Sequence, residues 1–218
     1  MKGYYLRFAL AWLVYVSVGA GCTSAPVRYY TLTPPPDEAL PASETTLSID
    51  VRFVQIPPQL NRSELMVRTG PTQVTLLENE RWASPMNDEI REALRFELQL
   101  RLARLTGLRP AFAKLTLDID VQHLEAELGQ YALLEASWSA SLSAADQRSS
   151  GARTTTCRFQ DRQKIHTGYT GIVEGYQREI AALAEAIVAV VTSPESGIEA
   201  SCQKSIEGSA GGSGSTDH

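Results

Sequence analysis

The chain has 218 residues, with 20 Lys and Arg against 25 Asp and Glu, a formal net charge of −5, and 43% hydrophobic residues. An acidic chain without a Lys/Arg cluster argues against nucleic acid as a partner and against adhesion to anionic lipid through a basic face. Its cysteines, Cys22, Cys157 and Cys202, have no neighbouring His and make no zinc centre.

Met1 to Gly21 carries Lys2 and Arg7, no acidic residue, and an apolar stretch from Phe8 to Ala20 broken only by Ser17 and Gly19. That stretch is shorter than the roughly 20 apolar residues a spanning helix needs. It has the charged start, apolar middle and small-residue end of a secretory signal. Gly19, Ala20 and Gly21 run into Cys22 and resemble a lipobox, with Gly19 where Leu is more usual. Small side chains admit a signal peptidase, and a thiol at the first mature position can be diacylated before cleavage. The expectation is a signal peptide over 1–21 and lipid on Cys22. The alternative is an ordinary signal with a Cys at the junction. Two or more acyl chains hold a protein stably at a membrane where one does not. Thr23, in place of the Asp that favours inner-membrane retention in enteric-type bacteria, points to the outer membrane. Loss of Lys2 and Arg7 takes the 20 basic residues to 18 against 25 acidic ones, a net of −7 for the mature chain.

Residues 22–45 hold Pro26, Pro34, Pro35, Pro36 and Pro41 and read as an extended tether, able to hold a domain some tens of Å from the lipid. Within it, Arg28-Tyr29-Tyr30-Thr31-Leu32 predicts a short strand. Residues 46–202 read as one domain, large enough for a single core.

Leu47, Ile49, Val51 and Phe53 alternate with polar residues, the pattern of a strand with one wet face, which Pro57-Pro58 ends. Glu64 to Thr69 and Gln73 to Leu77 flank Gly70-Pro71 and predict a hairpin. Ser84-Pro85 reads as an N-cap and first helical position, with Asp88 and Glu89 complementing the dipole. Ile90, Leu94, Leu98, Leu102 and Leu105 line one face of that helix. Phe96, Leu100 and Ala103 form a second stripe, either wedged between sheet and helix or meeting another subunit.

Leu115 to Val121 and Leu134 to Leu142 alternate cleanly on either side of Gly129, an antiparallel pair with Trp138 in the core. Thr154 to Gln160 is a further strand, with Cys157 and Phe159 on one face. A second helix runs from about Gly171 to Val191, with Ile172, Tyr176, Ile180, Leu183, Ile187 and Val190 as its stripe and Pro194 barring extension. Residues 203–218 are Gly- and Ser-rich and read as a disordered tail. The fold class is α/β: two amphipathic helices packed on a mixed, largely antiparallel sheet of about five to seven strands.

Cys157 and Cys202, exported to an oxidising compartment, form a candidate disulfide, the alternative being two free thiols. Such a bridge would add roughly 3–4 kcal/mol by the chain-entropy estimate. The chain lacks G-x-S-x-G, P-loop, G-x-G-x-x-G and H-E-x-x-H motifs. His123, His166 and His218 are scattered, and Asp118 and Asp120 share a strand face that is better read as solvated than catalytic. Nothing in the chain supports general acid–base or nucleophilic chemistry, and no metal or cofactor is expected beyond lipid on Cys22. Trp82, ahead of the first helix, is either a core contact or an exposed partner anchor. The loop from Pro57 to Arg62, with Leu60 at its crest, is a second interface candidate.

Taken together, Tyr29-Tyr30-Thr31-Leu32 soon after Cys22, Val51 to Ile56 into Pro57, Leu60-Asn61-Arg62, Leu65-Met66-Val67-Arg68, and Arg81-Trp82-Ala83-Ser84-Pro85-Met86 opening a long helix resemble the ABC-type transport auxiliary lipoproteins, the PqiC/YmbA-like outer-membrane lipoproteins. Leu133 to Trp138 and the closing helix complete the order. Ser84 and Met86 depart from the acidic residue and Leu more usual there. The resemblance implies a non-enzymatic lipoprotein on the periplasmic face of the outer membrane. It would work with an MCE-domain protein and inner-membrane transport components to move lipid between membranes, as a ring-forming docking subunit. The alternative is a lipoprotein that activates a cell-wall synthase or scaffolds another envelope complex.

Overall fold

Period-two alternation builds most of the structure, and two β-bulges decide which side chains reach the core. The computed structural model describes residues 25–35, 48–104, 112–144, 153–193 and Cys202. The signal segment 1–21, Cys22, Pro36, Pro41, Leu105, Pro194 and the tail 203–218 with its His218 lie outside the described residues.

The strands are β1 (Arg28–Tyr30), β2 (Ser48–Gln55), β3 (Glu64–Gly70), β4 (Gln73–Trp82), β5 (Phe112–Glu127), β6 (Tyr131–Ala144) and β7 (Arg153–Lys164). A short 3-10 turn, Pro58–Leu60, follows β2, and the helices are α1 (Met86–Arg104) and α2 (Tyr169–Thr192). All seven strands join one mixed sheet in the order β1-β4-β3-β5-β6-β7, with β2 also on β5. β5 spans 16 residues and serves two neighbours on one edge. Its first half pairs in parallel with β2, from Ser48–Lys114 to Gln55–Asp120, and its end meets β3 at Arg68–Glu127. β5, β6 and β7 are successive antiparallel neighbours, and Gly129, with φ +68°, forms the turn between β5 and β6. That positive φ is accessible to glycine at little cost.

One face of the sheet is covered by the helices. Leu115, Leu117, Ile119 and Val121 of β5 are buried there, as are Leu134, Ala136, Trp138, Ala140 and Leu142 of β6 and Cys157 and Phe159 of β7. A bulge between Val121 and His123 then moves the buried set to Leu124 and Ala126, so the strand continues with its phase reversed. A second irregularity lies between Val51 and Phe53 in β2. It turns Phe53 outward, 59% exposed, and brings Val54 into the core. The sequence pattern, which placed Phe53 with Val51, is corrected by that bulge.

α1 buries Ile90, Leu94, Leu98 and Leu102 and packs against β2 and α2, while Phe96 and Leu100 are half-buried and outside the core cluster. α2 lies across β6 and β7 with its entire expected stripe, Ile172 to Val190, buried. Ser84 does not cap α1 as expected. Its N–H and hydroxyl instead donate to the Glu89 carboxylate at 3.1 and 2.6 Å.

Candidate functional site

The chain leaving the Cys22 region is fixed to the domain by two buried carboxylates. β1 lies parallel to β4, pairing Arg28 with Glu80 and Tyr30 with Trp82. Glu80 is 4% exposed and receives hydrogen bonds from Arg28 and, at 2.7 Å, from the Tyr30 hydroxyl. Burial alone would push this carboxyl up, but those two donors and the Arg28 charge outweigh it and hold it below the usual range. Glu89, also 4% exposed, sits in the first turn of α1. It accepts from Thr31 Oγ1 and from the Leu32 backbone N–H, both at 2.8 Å, as well as from Ser84. Gln177 of α2 donates to the carbonyls of Thr31 and Leu32, and Leu32 itself is 1% exposed. Residues 28–33 are therefore part of the fold. The spacer available between Cys22 and the domain is Thr23 to Val27, much shorter than the whole of 22–45.

The sheet face opposite the helices bears hydroxyls and charged side chains. At one end Arg52, Phe53, Asp118, Asp120, Ser137 and Ser139 line a shallow groove of about 420 Å³. Arg52 pairs with Asp118 and lies 5.4 Å from the Phe53 ring, and Gln122 donates to Asp120 and Ser137. At the other end Arg68 donates to Glu125, which also accepts from Tyr131 at 2.8 Å, and Arg162 stacks on the Tyr131 ring. These carboxylates are neutralised or hydrogen-bonded, and the arrangement supplies ordered polar contacts with no nucleophile held against a base. His123 is exposed and lies 2.9 Å from Glu135, and His166 is exposed. Among the described residues no grouping of His, Cys, Asp and Glu could hold a metal ion, and no helix is long and apolar enough to cross a membrane.

A family model for the ABC-type transport auxiliary lipoprotein component matches residues 30–188. The chain belongs to this family. Its matched stretch runs from Tyr30 at the end of β1 to the last turns of α2, so it takes in β2 to β7, α1 and most of α2. Comparison with curated protein sequences gives no match. Among solved structures, an uncharacterized protein shares the fold with a TM-score of 0.54 at 19% identity, over 75% of this chain and 97% of its own. A protein from Xanthomonas campestris gives 0.45 at 18% identity over 76% and 91%, and a putative lipoprotein from Caulobacter crescentus CB15 gives 0.33 at 17% over 47% and 80%. As a transport auxiliary component the protein is an accessory subunit and not an enzyme.

The structure distributes this auxiliary lipoprotein's sequence-predicted residues unevenly. Cys22 lies outside the described residues. Cys157 and Cys202 are joined in a disulfide, Cα to Cα 5.4 Å, which fixes the chain beyond α2 to β7. Trp82 is 5% exposed, with its ring centroid 6.1 Å from that of Tyr176, so its indole packs in the core rather than facing a partner. Leu60 is half-buried against the core while Arg62 is exposed, and Phe96 and Leu100 on α1 are half-buried.

Sequence reading of the auxiliary lipoprotein missed the buried acids. Glu179 of α2 is fully buried, accepts the Gln163 N–H of β7 at 3.1 Å, and hydrogen-bonds with the Asp161 side chain. Burial first, and the Asp161 charge second, push this carboxyl up to about 9, so it is protonated at neutral pH. A hydrophobic stripe read at helical spacing gives no signal for an acid inserted between Tyr176 and Ile180.

Proposed function

We propose that this protein is an acylated lipoprotein on the periplasmic face of the outer membrane, and the docking subunit of an ABC/MCE-type system that moves lipid between membranes. Lipid on Cys22 supplies the anchor, and inner-membrane transport components and an MCE-domain protein are the partners. The observation that carries this reading is the double clamp of residues 28–33 by Glu80 and Glu89. A chain entering a fold from a lipid anchor transmits force only if its first ordered residues are held, and here buried carboxylates hold them. Family membership and the lipobox-like Gly19-Ala20-Gly21-Cys22 support the same reading.

Intact mass of the membrane-extracted protein tests the anchor: the expected chain starts at Cys22 and carries acyl mass. Mild crosslinking in cells followed by purification tests the assembly. Capture of an MCE-domain protein is expected, and capture of a penicillin-binding synthase instead would replace the transport role with a cell-wall role. A Cys22→Ala protein free in the periplasm should lose function, and full activity in that form would end the tethering reading.

A further inference from the structure

We propose that the tip of the β3–β4 hairpin is a second membrane contact, resting on the phospholipid surface that holds the acyl chains of Cys22. The proposal depends on the lipid-anchor reading above and adds to it where the domain sits.

Three observations converge on this end of the molecule. Reach comes first. Six residue steps separate Cys22 from Arg28, and a fully extended chain covers about 3.6 Å per step, so β1 can lie no more than about 22 Å from the anchored residue, close to the length of β4 from Gln73 at the tip to Glu80, the partner of Arg28. Direction comes second. β1 runs parallel to β4, and β4 starts at the hairpin tip, so the chain enters β1 from the side on which the tip lies. Surface chemistry comes third. Thr69 to Leu77, the whole tip, contains no ionisable residue in an otherwise charged domain. Val74 and Leu76 on it are 50% and 40% exposed. Arg68 pairs both with Val74 and with Glu127, which brings the exposed Leu128 of the β5–β6 turn beside the tip. Six large apolar side chains are exposed among the described residues, and Val74, Leu76 and Leu128 belong to the tip or that turn, while Val27 and Tyr29 lie on the entering chain, Tyr29 beside Arg81 at the other end of β4.

Such a surface is too small to bind a membrane from solution, but an anchor within reach raises its local concentration enough to make a weak contact persistent. An uncharged tip meets the headgroup region without desolvating an ion. The contact therefore needs neither anionic lipid nor low salt, which suits an acidic domain. Two points of attachment fix the orientation of the sheet relative to the bilayer, where a five-residue spacer alone would not.

Tryptophan quenching provides the test. Trp12 is removed with the signal, and Trp82 and Trp138 are buried, so the acylated protein has little exposed indole of its own. Val74→Trp and Phe53→Trp variants, acylated and reconstituted into phosphatidylcholine vesicles with brominated chains, report the two ends of the domain. Phe53 pairs with Asp118, nine positions along β5 from Glu127, or about 30 Å from the tip's neighbour. Quenching of Val74→Trp should exceed that of the wild type several-fold and persist at high salt, while Phe53→Trp stays near the wild type. Leu76→Trp, with the same expectation, guards against a variant that fails to fold. Equal quenching at both positions in protein that floats with the vesicles would overturn the hairpin contact and leave the anchor intact. Protein that neither floats nor carries acyl mass would overturn both. A lipid-free shift of Val74→Trp emission that grows with protein concentration would assign the tip to a second copy, and so overturn the membrane contact.

Discussion

Glu89 accepts the Leu32 backbone N–H at 2.8 Å, and this bond ties the N-terminal segment to the first turn of the helix that heads the core. The same carboxylate takes Thr31 Oγ1 and both donors of Ser84, so four donors from two separate segments converge on one buried side chain. Glu89→Ala leaves those donors without an acceptor. Each buried unsatisfied group costs about 1–3 kcal/mol, partly relieved by relaxation, so a net loss of about 2–4 kcal/mol is expected. Denaturant unfolding measures the loss. Limited proteolysis locates it, with new cleavage expected between Ala25 and Thr33. A variant as stable as the wild type and uncut there would remove the clamp from the account.

Glu179 makes stability depend on pH in the direction opposite to most acids. Unfolded, its carboxyl titrates near 4.5, and folded near 9. Between those values the folded state binds more protons, so stability falls as pH rises, with a slope approaching about 1.4 kcal/mol per pH unit for one group. The stabilisation is full below pH 4.5 and gone above 9. Glu179→Gln keeps an acceptor for the Gln163 N–H and cannot ionise. Unfolding measured from pH 6 to 9 should show the downward slope in the wild type and a flatter line in the variant, which becomes the more stable of the two at the alkaline end. Parallel lines would contradict the assignment.

What the sequence discloses and what it conceals divide along physical lines. Alternation in β5 and β6 and the stripe of α2 were readable because each residue's burial follows from its neighbours at fixed spacing. Phe53 was misplaced because a bulge in β2 shifts the period by one, and nothing in Ile49, Val51 and Phe53 announces it. The expected end of β5 at Val121 has the same origin, since Leu124 and Ala126 resume burial in the opposite phase. Strand order was beyond reach: β2 and β3 share one edge of β5 through parallel pairs whose partners are distant in the chain. Glu80, Glu89 and Glu179 look like ordinary surface acids until the elements that supply their donors are placed.

The disulfide between Cys157 and Cys202 closes a separation of 45 residues. In the chain-entropy account such a loop stabilises by about 4 kcal/mol, chiefly by restricting the unfolded chain. Cys202→Ala should lower the unfolding free energy by an amount of that order, and reduction of the wild type should have the same effect while leaving the variant unchanged. A response of the variant to reductant would show that another thiol pairing contributes.

Gly175 sets how closely α2 approaches the sheet. A Cβ placed there would lie 2.5 Å from Ile165 Cγ2 and 2.9 Å from Ala132 Cβ, both shorter than van der Waals contact permits. Two opposed effects meet in Gly175→Ala. Helix propensity favours Ala by about 1 kcal/mol in a helix interior. Overpacking a closed core costs typically 1–3 kcal/mol, and Ile165 and Ala132 are both held by burial, at 7% and 0% exposure. Ala132 has no rotamer with which to retreat, so the clash wins and a net loss of about 1–2 kcal/mol is expected. Thermal unfolding of Gly175→Ala beside an exposed control on the same helix, Glu185→Ala, separates the two effects. The control should be near neutral and the Gly175 variant clearly destabilised. Stabilisation of Gly175→Ala would mean that α2 stands further from β6 than the structure places it.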